Sequence, residues 1–156
     1  MRVGRYLGTA AALWCISAAA SGVARAQVEV TDAWVRATVP GQKVAAAYMH
    51  LRATAAAKLV GVETKAARSA EIHTMSHEGG VMKMRRLDAL ELPAGQAVAL
   101  EPGGNHIMLF DPVKPLTEGQ RVPLKLIVEQ GGKRVEVAVD APVRAPGADE
   151  GAHKHH

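Results

Sequence analysis

Four residues with soft donor atoms stand at regular spacing along the chain: His73, Met84, His106 and Met108. Ten residues separate the first two, twenty-one separate the middle two, and one separates the last two. Imidazole nitrogen and thioether sulfur together suit cuprous copper, whereas magnesium and calcium prefer oxygen ligands. The donor types and their spacing therefore predict one Cu(I) site.

A turn signal, Glu78-Gly79-Gly80, lies between the first two candidate ligands. A hairpin centred on the first two residues of this signal would place His73 opposite Met84. It would also place Met75 opposite Met82 on the same face. Directly opposed side chains have Cβ atoms about 4.5–5.5 Å apart, close enough to share an ion. We therefore expect Met75 and Met82 to be accessory metal residues, lining the site or replacing Met84 transiently.

The other two candidate ligands belong to one strand-like run. His106 and Met108 are two residues apart, so their side chains project from the same face of a strand. Gly103 and Gly104, just before them, permit a tight approach of the backbone. Three strand segments can therefore bring two nitrogens and two sulfurs to one ion.

The other histidines and methionines of the domain have simpler explanations. Met49 is expected to fill the core, because methionine is adaptable packing material. A single histidine is more often solvated or buried in a core than bound to a metal. We apply that reading to His50 and to His77 at the tip of the hairpin.

The first 26 residues read as a secretory signal peptide. Two arginines give a positive start, residues 6–23 are apolar, and Ala24-Arg25-Ala26 supplies a small-x-small cleavage pattern. A membrane anchor is one alternative, but a stretch rich in Ala, Gly, Ser and Thr has a weak drive to insert. Lipidation at Cys15 is the other alternative, but the bulky Trp14 directly before the cysteine is unfavourable for that processing. We expect cleavage after Ala26.

Cleavage changes the charge balance. It removes three arginines and no acidic residue, so the basic count falls from 19 to 16 against 15 acids, and the formal charge falls from +4 to +1. Such a balance gives no reason to expect binding to nucleic acid or anionic lipid. No second long apolar segment follows, so the cleaved product is not expected to be an integral membrane protein.

The mature chain would contain no thiol, because Cys15 is the only cysteine. An electron-transfer cupredoxin needs a Cys thiolate, and so does a thiol–disulfide reductase. Hydrolytic metal catalysis usually adds a carboxylate base beside an open site. Glu71 and Glu78 are near in sequence, but no acid–base pair is evident. The pattern favours a metal carrier over an enzyme and gives no catalytic residues.

The mature sequence reads as nine short strands with frequent period-two alternation. The runs are residues 28–37, 44–53, 58–65, 70–75, 81–87, 98–100, 106–110, 121–129 and 133–139. A Gln130-Gly131-Gly132 turn joins the last two into a hairpin. Residues 87–96 could hold one helical turn. Eight or nine strands predict an antiparallel β-sandwich or barrel over residues 27–140.

The composition changes at residue 141. Proline, glycine and alternating small and charged residues predict a flexible tail over residues 141–156. The tail ends with three imidazoles, His153, His155 and His156. It is either a looser metal-binding element, which would prefer Cu(II) or Zn(II) to Cu(I), or simply a solvated end.

The four-residue spacing and its surroundings resemble the signature of the periplasmic copper chaperone family PCuAC. The matching segments are Asp32-Ala33-Trp34-Val35-Arg36, Ala46-Ala47-Tyr48-Met49, Gly79-Gly80-Val81-Met82-Lys83-Met84 and Pro102-Gly103-Gly104-Asn105-His106. The resemblance covers residues 28–139 and holds at all four ligand positions. It implies a cupredoxin-like β-sandwich that binds one Cu(I) near its surface through His73, Met84, His106 and Met108.

The resemblance also implies a place in the periplasm and a role in assembling cytochrome c oxidase. The expected partner is the copper-acceptor domain of oxidase subunit II, reached directly or through another assembly chaperone. Copper would be delivered to its binuclear centre. Two alternatives stay open from sequence: copper buffering or tolerance without a dedicated acceptor, and a structural sandwich domain with incidental His and Met.

Overall fold

A computed structural model describes residues 27–147, and all its regular elements are β-strands. The strands are β1 (Val28–Arg36), β2 (Val44–Ala53), β3 (Ala57–Glu63), β4 (Ala67–Glu78), β5 (Val81–Leu87), β6 (Leu90–Leu92), β7 (Ala97–Leu100), β8 (His106–Pro112), β9 (Arg121–Gln130) and β10 (Lys133–Arg144). This confirms the predicted all-β class. Residues 27–147 contain no helix long and apolar enough to cross a membrane. The predicted signal peptide, residues 1–26, lies outside the described residues, as do His153, His155 and His156.

The strands form one hydrogen-bonded path in the order β5-β4-β8-β2-β1-β10-β9-β3-β6, and β7 pairs with β2. The β1–β10 pairing is parallel and joins the half that contains β1, β2, β4, β5, β7 and β8 to the half that contains β3, β6, β9 and β10. The other ladders between these strands are antiparallel. The predicted antiparallel architecture is found, with one parallel junction that alternation along a strand does not reveal.

One hydrophobic cluster lies between the two halves. Leu51 and Ile107 of one half and Leu59 and Leu126 of the other are fully buried members of it. Burying each such side chain contributes about 1.5–3 kcal/mol, which makes this shared core the main force holding the halves together. Met49 is 1% exposed and belongs to the same cluster, which confirms its predicted core position.

A short strand, β6, occupies part of the segment 87–96, in which the sequence allows one helical turn. Leu90 and Leu92 of β6 are buried while Glu91 is exposed, and β6 pairs with β3. Three residues show a single alternation, too little for periodicity to distinguish a strand from a turn. This strand raises the count from the predicted eight or nine to ten.

The last strand runs past the predicted domain boundary at residue 140. Ala141 and Val143 are buried, and Val143 pairs with Val35 of β1. Pro142 suggested a break, but it pairs with Arg121 at the end of the β9–β10 ladder, where a missing N–H is tolerated. Residues 141–144 therefore belong to β10, which corrects the predicted start of the tail.

The turn between β4 and β5 lies one residue later than predicted. Gly79 and Gly80 have φ angles of 58° and 80°, as the centre of a two-residue type I′ turn requires. Glu78 pairs with Val81 instead of entering the turn. The predicted centre on Glu78 and Gly79 was wrong because a side chain disfavours positive φ, whereas glycine does not.

This later turn moves each cross-strand pair by two residues and keeps the faces unchanged. His73 lies opposite Arg86 rather than Met84. Met75 lies opposite Met84 rather than Met82. Because side chains alternate with a period of two, Met84 stays on the face of His73 as a diagonal neighbour, with the two residues about 7–8 Å apart.

The β4–β5 hairpin projects beyond its neighbouring strand. The register of β4 with β8 ends at the pair formed by His73 and His106. Residues 74–85, called the arm below, have ladder partners only across the hairpin, and Met75 also donates a backbone hydrogen bond to Gly104. The arm therefore presents both of its faces at the edge of the sheet.

The turn geometry leads to a prediction about stability. Gly80→Ala adds a Cβ at a φ of 80° with nothing within 4 Å, so its cost is conformational rather than steric. We expect the free energy of unfolding, measured with urea, to fall by about 1–2 kcal/mol. Gly61→Ala in β3 is the matched control, because its Cβ meets only Ile127 at 3.7 Å and its φ is not positive. Equal destabilisation of both variants would contradict the turn assignment.

Candidate metal centre

Strands β4 and β8 direct candidate ligands away from the core. Ile72 and Ile107 are paired and buried, so the adjacent residues His73 and His106, which are also paired, face the other side of the sheet. The centroids of the two imidazole rings are 6.0 Å apart. Met108 follows His106 on the same face. Alternation therefore assembles three of the four predicted ligands across two strands.

A cavity of about 250 Å³ opens on this face. Four residues with soft donor atoms line it: Met75, Met84, His106 and Met108. The other lining residues are Arg36, Ala46, Tyr48, Pro102 and Gly103. His73 is outside the lining but lies directly across from His106. Residues distant in the sequence thus converge on one opening.

His106 is held with one ring nitrogen available to a metal. The residue is 5% exposed, and its Nδ1 lies 3.0 Å from the carbonyl oxygen of Gly104. A carbonyl only accepts hydrogen bonds, so we assign the ring proton to Nδ1 and the lone pair to Nε2. A neutral imidazole with a free Nε2 is a metal ligand.

His73 has the complementary arrangement. Its Nε2 lies 2.9 Å from Oε2 of Glu71, so we assign the ring proton to Nε2 and the lone pair to Nδ1. Nδ1 is buried and has no hydrogen-bond partner among the described residues. A buried polar atom without a partner is costly, and a bound metal ion would supply one. A carboxylate on the other ring nitrogen is a frequent support of metal-binding histidines.

Glu71 supports His73, a role that the sequence alone does not indicate. It contacts His73 and also accepts a 3.3 Å hydrogen bond from Arg86. Its position two residues before His73 was the available signal, because strand alternation puts both on one face. The contribution of Arg86 could not be anticipated, since it depends on the β4–β5 register.

Met84 is the most accessible of the candidate donors that line the cavity. Met84 is 48% exposed on the edge strand β5, whereas Met75 and Met108 are half-buried. Methionine has three rotatable side-chain bonds, so these sulfurs can adjust around an ion more easily than the imidazoles can. An ion in the cavity would be reached from the side of Met84.

The loop between β7 and β8 fixes one edge of the cavity. The carbonyl oxygen of Gly104 accepts hydrogen bonds from the ring of His106 and, at 3.2 Å, from the backbone N–H of Met75. Gly103 has a φ of 83°, which favours glycine. The tight backbone approach predicted for these two glycines is present, and it connects both candidate strands through one oxygen.

An aromatic pair and two arginines adjoin the cavity. The ring centroids of Trp34 and Tyr48 are 4.6 Å apart, and the Arg36 guanidinium lies 5.5 Å from the Tyr48 ring. The Arg144 guanidinium lies 5.6 Å from the Trp34 ring. Cation–π contacts of this kind stabilise by about 0.5–2 kcal/mol. These four side chains come together only when β1, β2 and β10 pair, so the spacing of candidate ligands in the sequence does not indicate them.

Not every predicted accessory residue reaches the cavity. Met75 lines it, but Met82 lies opposite His77, nearer the turn, and is 46% exposed. Within residues 27–147, no group of three or more His, Cys, Asp or Glu is arranged to hold a metal. The candidate donors are therefore two imidazoles together with thioethers, a soft set that fits Cu(I).

Residues 28–143 match the family described as "Putative lipoprotein LpqE-like". The chain belongs to this family, the PCuAC family. This confirms the predicted resemblance. The family is a copper-chaperone type of domain and is not a known enzyme family.

Relatives and solved structures agree with this membership. "Putative lipoprotein Lxx21020" of Leifsonia xyli subsp. xyli (strain CTCB07) is 30% identical over 83% of this chain and 75% of its own. The copper-bound PCuAC domain from PmoF2 is 31% identical, with a TM-score of 0.61, over 77% of this chain and 94% of that domain. The Cu(I) form of DR1885 from Deinococcus radiodurans is 32% identical, with a TM-score of 0.56, over 81% of this chain and 83% of that one.

The Glu71 contact leads to a prediction for this PCuAC protein. Glu71→Ala removes the acceptor that keeps the proton of His73 on Nε2. We expect the Cu(I) affinity to fall about 10- to 100-fold, as is usual when the support of a metal-binding histidine is lost. Competition with a colorimetric Cu(I) chelator measures it. Glu78→Ala is the control, because Glu78 lies on the same strand but bonds Lys83 and Arg85 instead. Similar losses in both variants would refute the role of Glu71.

Proposed function

We propose that this protein is a periplasmic Cu(I) metallochaperone that delivers copper to the binuclear centre of cytochrome c oxidase. The observation that carries the proposal is the convergence of Met75, Met84, His106 and Met108 on one surface cavity, with the unpartnered Nδ1 of His73 nearby. The copper-bound PmoF2 domain supports the metal, and the Cu(I) form of DR1885 supports the valence.

The donor set suits transfer rather than permanent storage. Thioethers and neutral imidazoles carry no charge, so they leave the charge of Cu(I) uncompensated. An acceptor with thiolate ligands adds electrostatic attraction and can therefore take the ion. Thioethers do not form disulfides, so such a site keeps working in an oxidising compartment.

Delivery on this mechanism is an exchange of ligands. Each bond that Cu(I) loses to a sulfur or nitrogen of the carrier is replaced by a bond to the acceptor, and no electron is transferred. Met84 is exposed and lines the cavity, so it is well placed to be the first donor exchanged. His106 is buried and tied to Gly104, so it would release the ion later.

The partner we propose is the copper-acceptor domain of oxidase subunit II, met directly or through another assembly chaperone. The signal peptide expected for residues 1–26 supports a place in the periplasm. Copper buffering would use the same ligands. Loss of the protein distinguishes the two: a chaperone's absence lowers oxidase activity in copper-poor medium, whereas a buffer's absence only raises copper sensitivity.

Removal of two cavity ligands tests the copper site. His106→Ala with Met108→Ala should lower the Cu(I) affinity by on the order of 1,000-fold or more, since loss of an outer support alone costs about 10- to 100-fold. Met49→Leu with His50→Ala is the matched control, because it also changes one Met and one His but outside the cavity. Competition with a Cu(I) chelator measures both. Wild-type affinity in the His106/Met108 variant would overturn the assignment.

Transfer to the acceptor tests the direction of exchange. Mixing the Cu(I)-loaded protein with the reduced, metal-free copper domain of oxidase subunit II should move most of the copper to that domain. Separation by ion exchange followed by copper analysis measures the partition. The same domain with its ligand cysteines replaced by serine is the control and should take up little. Copper that stays on the carrier in both mixtures would favour buffering.

A further inference from the structure

One face of the arm carries a series of soft donors. Cross-strand partners project from the same face, so the pair Met75–Met84 and the pair His77–Met82 lie side by side on it. The first pair lines the cavity, and the second pair lies nearer the turn. The donors therefore continue from the cavity toward the tip of the arm.

The opposite face of the arm is ionic. Glu78 accepts hydrogen bonds of 3.1 Å from Lys83, 2.7 Å from Arg85 and 3.1 Å from the hydroxyl of Ser76. The contacts with Lys83 and Arg85 hold β4 to β5 without engaging the donor face. The soft side chains are therefore left available while the arm keeps its register.

Among the residues that the structure describes, no side-chain contact gives His77 or Met82 a structural role. Both are exposed, and the side chain of His77 makes no hydrogen bond, ion pair or ring contact within residues 27–147. As a single histidine, His77 was expected to be solvated or in the core rather than a ligand, and it is exposed. Its position directly opposite a thioether was not foreseen, because the predicted register put Met75 opposite Met82.

The distance between the two pairs permits an ion to move from one to the other. Two residues along a strand span about 7 Å. Methionine side chains are long and turn about three bonds, so the sulfurs of Met82 and Met84 can approach one ion together. An ion held by His77 and Met82 is therefore one exchange of ligands away from the cavity.

We propose that His77 and Met82 form an outer, low-affinity Cu(I) site through which the cavity is loaded and unloaded. One imidazole and one thioether offer fewer bonds than the cavity does, so the outer site holds copper briefly. Each Cu(I)–donor bond that breaks at one site is replaced by one at the next, with no change of oxidation state. This proposal rests on the proposed function, because it requires that the cavity hold Cu(I).

Exchange kinetics test the outer site. His77→Gln with Met82→Leu removes both donors and keeps side-chain size. We expect the equilibrium Cu(I) affinity to stay within about 3-fold of wild type, because the cavity is intact, and the rate of Cu(I) exchange with a chelator to fall about tenfold. Stopped-flow absorbance of the Cu(I)–chelator complex measures the rate. Ser76→Ala with Val81→Ala is the matched control, since these residues are the immediate sequence neighbours of His77 and Met82 but lie on the ionic face.

The outcomes separate this proposal from the proposed function. Wild-type exchange in the His77/Met82 variant, with tight binding preserved, would overturn the outer site and leave the chaperone function standing. A loss of affinity as large as that of the His106/Met108 variant would also overturn it, because these residues would then belong to the tight site. Failure of the wild-type protein to bind Cu(I) would instead reject the proposed function.

Binding at the outer site can also be observed directly. In the His106/Met108 variant, one equivalent of Cu(I) should shift the NMR signals of the Met82 methyl group and the His77 ring. The control is the same titration after His77→Gln and Met82→Leu are added to that variant, which should weaken the remaining binding. Unshifted Met82 and His77 signals would contradict the outer site.

Discussion

The pairing of His73 with His106 depends on the hydrophobic pair beside it. Ile72 and Ile107 are opposite each other in the same ladder and are buried, so β4 and β8 can hold only the register that keeps both in the core. A slip of one residue on either strand would bring imidazole into the core and isoleucine into water. Burial contributes about 1.5–3 kcal/mol for each isoleucine, and this energy fixes the imidazoles. The metal centre therefore takes its geometry from the sandwich core.

Orientation of the rings is fixed in a second way. His73 donates to a carboxylate and His106 donates to a backbone carbonyl, so the protons are held on Nε2 of one ring and Nδ1 of the other. The two free nitrogens are thus different atoms of the ring. Neither ring needs to change tautomer when an ion arrives, and this preorganisation lowers the cost of binding. The Glu71 carboxylate and the Gly104 carbonyl therefore support the metal centre, although neither is a candidate ligand.

The features that depend on residue spacing could be predicted from the sequence. Those that depend on the register between strands, or on elements of only a few residues, could not. The alternation of side chains placed His106 and Met108 on one face and identified strands such as β9. This alternation is a property of a single strand and does not depend on which strands pair. The hairpin partners of His73 and Met75 were wrong by two residues, because both central positions of the turn need a positive φ, which Gly79 and Gly80 adopt and Glu78 does not. Strand β6 is too short to show a period, and Pro142 marks a ladder end rather than a domain end. The contacts of Arg86 and Arg144 arise only once strands are paired, so no linear pattern carries them.

The candidate donors lie partly on β4 and β8, inside the sheet, and partly on the edge strand β5. Placing donors on an exposed edge strand carries a risk of aggregation. A soft-donor strand must stay exposed for exchange, yet an exposed apolar edge invites pairing with other chains. In β5, Met82 and Met84 alternate with Lys83 and Arg85, which point to the other face and bond Glu78. Charged residues on an edge oppose such pairing, so the strand can offer sulfur without becoming a site of aggregation. The exposure of the methionines of β5 therefore explains Lys83 and Arg85.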